Sequence, residues 1–199
     1  MRNITFFFIA LFCYPALVVG QQNDFPNRKT EIEKLAEKIY SVKEFQQVAD
    51  SMQLSVDELS DYPIISPVKQ PAISSGFGMR KHPVYRVWKF HTGIDFVKAK
   101  GIPVYATGNG IVIRKGYNSG YGNFIEIEHA GGFRSFYAHL SKTMVNIGDS
   151  VSITQQIASV GSTGISTGNH LHYEVRKGKR FLNPTGWCCG LVLYVNKQL

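Results

Sequence analysis

The hydrophobic and polar positions fall into three textures along the 199-residue chain. An almost unbroken apolar run occupies residues 4–19, with Arg2 as its charged lead. Between 30 and 52, Ile32, Leu35, Ile39, Val42, Phe45, Val48 and Met52 recur at spacings of three and four. That spacing lays one apolar stripe along a helix of several turns. Thr30 with Glu33 offers a capping box at its start, and a second short helix fits 55–59. Pro63, Pro67 and Pro71 then force extended chain. From Ala72 onward short runs rich in β-branched and aromatic residues alternate, separated by Gly, Asn and Ser. Such runs read as strands. "GYNSGYGN" lies between the runs at 111–115 and 124–128 and reads as a hairpin connection.

The pattern predicts a mainly β protein, an antiparallel β-sheet or sandwich preceded by a short α-helical arm. Expected divisions are a signal peptide at 1–20, the arm and linker at 21–66, the β domain at 67–187 and a tail at 188–199. The first segment has the charged start, apolar centre and small residues (Val18, Val19, Gly20) of a secretory signal cleaved before Gln21. It is short for a bilayer span of roughly 20 residues, and Pro15 interrupts it. Export to the periplasm, cell envelope or exterior is therefore expected. Phe12 before Cys13 speaks against lipid attachment there.

Composition narrows the picture. A hydrophobic content of 44% with 18% charged residues supports a core and excludes a disordered chain. The net charge of +8 suits an anionic partner. There is no run of five basic residues and no stacking motif, so no nucleic-acid partner is expected. Beyond the signal the cysteines are the neighbours Cys188 and Cys189. A bond between them would be strained, because consecutive Cα atoms stand only about 3.8 Å apart. They are expected as buried or free thiols, with an intermolecular bond as the alternative.

Candidate chemistry lies with the histidines. All six, His82, His91, His129, His139, His170 and His172, fall in the β region. "HTGID" offers His91 and Asp95, a nitrogen and an oxygen ligand type. In "HLHYEV", strand alternation puts His170 and His172 on one face, with Leu171, Tyr173 and Val175 on the other. His139 in "FYAHLS" lies on a strand with Phe136, Ala138 and Leu140 on the opposite face. His91, Asp95 and one of His170 and His172 make three protein groups, the count of an open catalytic zinc rather than a closed structural one. Spacing alone does not separate His170 from His172. Glu174 shares their face and is a rival base, set back about 6–7 Å along the strand. His82 and His129 take structural roles by default.

The segments "GFGMRKHPV", "HTGIDF", "GIPVYATGNGIV", "YGNFIEIEHAGGFRSFYAHL" and "VGSTGISTGNHLHYEVRKG" resemble the lysostaphin-type (LytM-domain) zinc metallopeptidases that cut peptidoglycan peptides. The resemblance runs from about Ser75 to Pro184, leaving the arm and tail uncovered. It implies one Zn²⁺ held by His91, Asp95 and His172, with His139 and His170 as the catalytic pair. Asn169 and Thr154 depart from residues common in the family, and neither removes a ligand. The implied reaction is metal-assisted hydrolysis of stem or cross-link peptides, with histidines moving protons. The alternative is a catalytically silent LytM-like module that binds the wall or activates another hydrolase. Retention of all five positions favours the enzyme.

Overall fold

The computed structural model describes residues 25–190; the expected signal segment and the end of the tail lie outside them. Among the described residues three helices come first: Phe25–Ala36 (α1), Val42–Met52 (α2) and Val56–Ser60 (α3). The stripe over 30–52 is therefore two helices, not one. Ser41 and Glu44 make a complete capping box that starts a new helix at Val42. Thr30 lies inside α1, so the cap expected there is not the start of a helix. The short helix at 55–59 is borne out as α3, capped reciprocally by Ser55 and Glu58. Among the described residues no helix is long and apolar enough to cross a membrane.

Twelve strands follow among the described residues: Ile73–Ser75 (β1), Gly78–Lys81 (β2), Trp88–His91 (β3), Ile94–Val97 (β4), Pro103–Tyr105 (β5) and Gly110–Asn118 (β6), then Gly122–Glu128 (β7), Phe133–Thr143 (β8), Ser150–Val151 (β9), Gln156–Val160 (β10), His170–Lys177 (β11) and Arg180–Leu182 (β12). The mainly antiparallel β class holds. Ten strands form one sheet in the order β1-β4-β11-β8-β7-β6-β9, with β12 on β11 and β5–β10 branching from β8. β2 and β3 form a separate two-stranded ribbon. The hairpin expected at "GYNSGYGN" is β6–β7, closed at Asn118 opposite Gly122.

Alternation on β11 sends Leu171, Tyr173 and Val175 into the main core, shared with Phe96, Tyr137 and Val160. The helices belong to that same core. Phe45 packs edge-on to Tyr62 at 4.9 Å between ring centroids, and Trp187 lies 4.8 Å from Phe133. The extended segment after α3 is buried there as well, at Tyr62, Ile64 and Val68. Cys188, at the start of the expected tail, is a buried thiol in this cluster. The side chain of Cys189 lies outside those described.

Lys177, at the core-facing end of β11, fastens the arm. Its ammonium donates to Ala36 O and to Ile39 O, the latter at 2.8 Å, and sits 4.2 Å from the Phe133 ring centre. It thus adds a donor to Ala36 O, which also accepts from the Ile39 amide in the turn after α1, and another to Ile39 O just beyond that turn. His129 is a second buried polar anchor. One ring nitrogen donates to Asn109 O at 2.7 Å and the other accepts from Ser135 Oγ at 2.7 Å. Burial holds His129 down to about 4.

Lys177→Ala removes both donors and should cost about 2–4 kcal/mol, read as a lowered midpoint in urea unfolding. His129 gives a pH signature. Its folded value of about 4 lies below the ordinary 6.5. Between those values the unfolded chain binds a proton that the folded protein does not, so stability falls as pH drops through this window. The loss attributable to His129 is on the order of 3 kcal/mol. Unfolding curves at pH 7 and pH 4.5 should show a smaller difference for His129→Gln than for the wild type.

Candidate metal centre and groove

β4 and β11 pair so that Asp95 stands directly opposite His172. The strands come this close because residue 93 is glycine: a Cβ there would lie 2.3 Å from Tyr173 O and 2.8 Å from Glu174 Cγ. His91 ends β3 just before this turn. Three ligand-type atoms converge as a result. His91 Nε2 lies 3.0 Å from His172 Nδ1 and 3.2 Å from Asp95 Oδ1, and His172 Nδ1 lies 2.9 Å from Asp95 Oδ1. Ligands at the usual zinc bond length of about 2.0–2.1 Å in a tetrahedron stand about 3.3 Å apart. The triangle therefore has nearly the size of one face of a tetrahedral zinc site, and its N, N, O donor set suits that ion.

The opposite nitrogens are fixed. His91 Nδ1 donates to Gly76 O at 2.7 Å, and His172 Nε2 donates to Glu174 Oε1 at 2.9 Å. Each bond sets a tautomer that turns the other nitrogen into the cluster. Glu174 is fully buried and also accepts from Tyr121 OH at 2.9 Å, Thr92 Oγ1 at 2.5 Å and Arg176 Nε at 2.5 Å. Burial would raise its pKa, but His172, Arg176 and Thr92 hold it at about 2. Glu174 thus stands behind His172 with its oxygens engaged, an arrangement suited to orienting His172.

The donors also hold one another through protons. Burial opposes charge on His172, yet the bonds to Asp95 and Glu174 outweigh it and raise the imidazole to about 9. Burial likewise opposes charge on Asp95, and the bonds from His172 and His91 hold its carboxyl far below the ordinary range. A metal entering here would displace a proton from His172. Asp95 Oδ2 also accepts from Arg80 Nη2 at 3.2 Å.

His139 and His170 lie side by side at 4.5 Å between ring centroids, with His139 6.0 Å from His172. His139 Nδ1 donates to Thr163 O at 2.7 Å, and His170 Nδ1 donates to Gly168 O at 2.8 Å. Both Nε2 atoms are left to accept, and that of His170 lies 3.9 Å from Asp95 Oδ1. Burial, opposed by the Thr163 carbonyl, lowers His139 to about 4 and keeps it neutral.

Strict alternation would have sent His139 to the core face with Tyr137. Instead its φ is +60, an uncommon value for a residue with a side chain. β8 pairs with β11 up to Ala138 and with β10 from Leu140. His139 sits where the strand changes partners, and the kink turns its ring toward the cluster. Phe136 and Ala138 form a small separate cluster with Phe124 rather than joining the main core.

His82 accepts from the amides of Val84 and Tyr85 at 3.2 Å each, stabilising the turn of the β2–β3 ribbon at the groove rim. Arg80, Thr92, Tyr121 and Arg176 received no role from sequence. Arg176 alone had a local signal, sharing the strand face of Glu174.

A model of peptidase family M23 matches residues 89–184. The catalytic domain of the prophage-encoded M23 protein EnpA from Enterococcus faecalis, solved as a mutant, is 33% identical with a TM-score of 0.54, and the match covers 61% of this chain and 94% of that one. The chain belongs to peptidase family M23. A zinc-containing peptidase from Vibrio cholerae is 41% identical with a TM-score of 0.56, over 59% of this M23 chain and 37% of that one. The peptidoglycan DD-endopeptidase ShyC of Vibrio cholerae is 40% identical over 120 residues, 60% of this chain and 28% of ShyC. This M23 chain thus spans under a third of that curated relative.

Glu174→Ala should weaken zinc binding about 10–100-fold, with partial recovery in Glu174→Gln, measured by competition with a chromogenic chelator. An unchanged affinity in Glu174→Ala would show that Glu174 does not orient His172 for metal.

Proposed function

We propose that this protein is an exported zinc endopeptidase that hydrolyses peptide bonds in peptidoglycan stem or cross-link peptides. The observation that carries the reading is the joint geometry of the triangle and the two histidines beside it. Three N and O donors at tetrahedral spacing leave one side open, and two imidazoles with accepting Nε2 atoms border it. His91 Nε2, Asp95 Oδ1 and His172 Nδ1 would hold the ion. Bound zinc supplies Lewis acidity, polarising a carbonyl and lowering the pKa of water. Support for the substrate comes from ShyC, named for peptidoglycan, and for the ion from the zinc-containing neighbour.

The chain's own residues supply proton handling. His139, neutral through burial, can take a proton at Nε2 while Thr163 O steadies its other nitrogen. His170 has the same arrangement against Gly168 O and stands nearer Asp95. The pair can accept a proton and return one to the leaving amine. A protonated imidazole of the pair can also face the developing oxyanion. Glu174 acts through His172 and is a positioning residue. The silent-module alternative gains no support from the site, where all five side chains converge.

Purified protein loaded with zinc should release soluble fragments from cross-linked peptidoglycan with new free amines, identifiable by mass spectrometry. Chelation should abolish release and zinc should restore it. His172→Ala should reduce activity to background, and His139→Ala by at least about 100-fold. Full activity in metal-free or His172→Ala protein would overturn the proposal.

A further inference from the structure

The β2–β3 ribbon forms one wall of the groove. Its register places Arg80 directly opposite Lys89, so both side chains share the face of the neighbouring pair, Gly78 and His91. Arg80, Lys89 and His91 line the groove, and so does part of Phe90, whereas Met79 does not. Like charges directly opposite on a two-stranded ribbon are destabilising. Arg80 is compensated by Asp95 at 3.2 Å. Lys89 is exposed, and among the described residues its cation faces the Tyr85 ring, at 5.7 Å from the centroid, and no carboxylate. Among the described residues the one carboxylate lining this groove is Asp95, which is already engaged by His91, His172 and Arg80. The groove wall therefore carries a positive charge with no anion assigned to it, a few residues along the ribbon from the metal triangle.

From this juxtaposition we infer that Lys89, with Arg80 beside it, is a specificity subsite for a free carboxylate on the peptide in the groove. The ligand class is an anionic peptide with an unamidated carboxyl group, on a side chain or at the C-terminus. This deepens the proposed peptidase reading and rests on it for the identity of the peptide. Two cations and one carboxylate line this end of the groove, so once Arg80 is paired with Asp95 the Lys89 charge is left for a bound anion. Arg80 is committed to Asp95, so Lys89 is the residue free to reach the ligand.

The test is a binding measurement that does not depend on turnover. Zinc-loaded His139→Ala protein is titrated with a fluorescein-labelled Ala-γ-Glu-diaminopimelate-Ala tetrapeptide, in three forms: all carboxylates free, all amidated, and only the C-terminal carboxyl amidated. Fluorescence anisotropy should show the free form binding about tenfold more tightly than the fully amidated form. The third form assigns the effect to the C-terminal or a side-chain carboxylate. Adding Lys89→Gln should bring the free and amidated forms to the same affinity, and Lys89→Glu should reverse their order. Equal binding of the free and amidated peptides, including binding of neither, overturns the subsite, as does selectivity that persists in Lys89→Gln. Absence of hydrolysis by the wild type would instead count against the peptidase reading, leaving this binding result to stand by itself.

Discussion

The pairing of Asp95 with His172 across two antiparallel strands is the constraint on which the site depends. Cross-strand neighbours have a fixed separation, so the backbone hydrogen bonds of β4 and β11 set the distance between the two donors. Gly93 permits that approach, and His91 enters from the ribbon on the other side of the same turn. A slip of one residue would move His172 to the core face and Leu171 to the groove. The apolar residues of β11 prevent the slip, because Leu171, Tyr173 and Val175 are all fully buried. The core thus specifies the register, and the register specifies the donor spacing.

Behind the donors lies a layer of buried charge on the same face of the sheet. Glu126 and Glu174 are fully buried, and Arg176 bridges them. Arg114 and Arg134 also pair with Glu126. Buried ion pairs are weak sources of stability, since desolvation offsets much of their attraction. Here they fix orientation: Arg176 holds Glu174, Glu174 holds His172 Nε2, and Nδ1 is thereby directed at Asp95. The Arg176 guanidinium also rests 4.0 Å from the Phe136 ring centre, so its plane is set by an aromatic neighbour as well as by carboxylates.

Features that follow from period were legible in the chain. Alternation in "HLHYEVR" correctly separated a core face from a polar face, and "GYNSGYGN" closed a hairpin. Features set by tertiary override were not. The Ser41–Glu44 capping box was present in the sequence, but the continuous stripe of apolar residues concealed the break. His139 was recognisable only through resemblance, since alternation gives it the wrong face; a positive φ at a histidine has no local sequence signal. The partners of Glu174 come from β3–β4, the β6–β7 turn and β11 itself, which meet only after the sheet closes. These segments are far apart in the chain, so no window of sequence contains them.

β11 joins these levels. On one side it presents His170, His172, Glu174 and Arg176 to the groove and its polar layer. On the other it presents Leu171, Tyr173, Val175 and Lys177 to the core. Lys177 extends that core face to the end of α1, where it donates to carbonyls of the arm. The arm therefore meets the sheet on the face opposite the donors. Among the described residues none of the arm lines the groove, and the arm packs against the strand whose register positions His172. The same strand thus carries His172 on one face and the arm's anchor, Lys177, on the other, so core packing, arm docking and donor spacing all depend on one register.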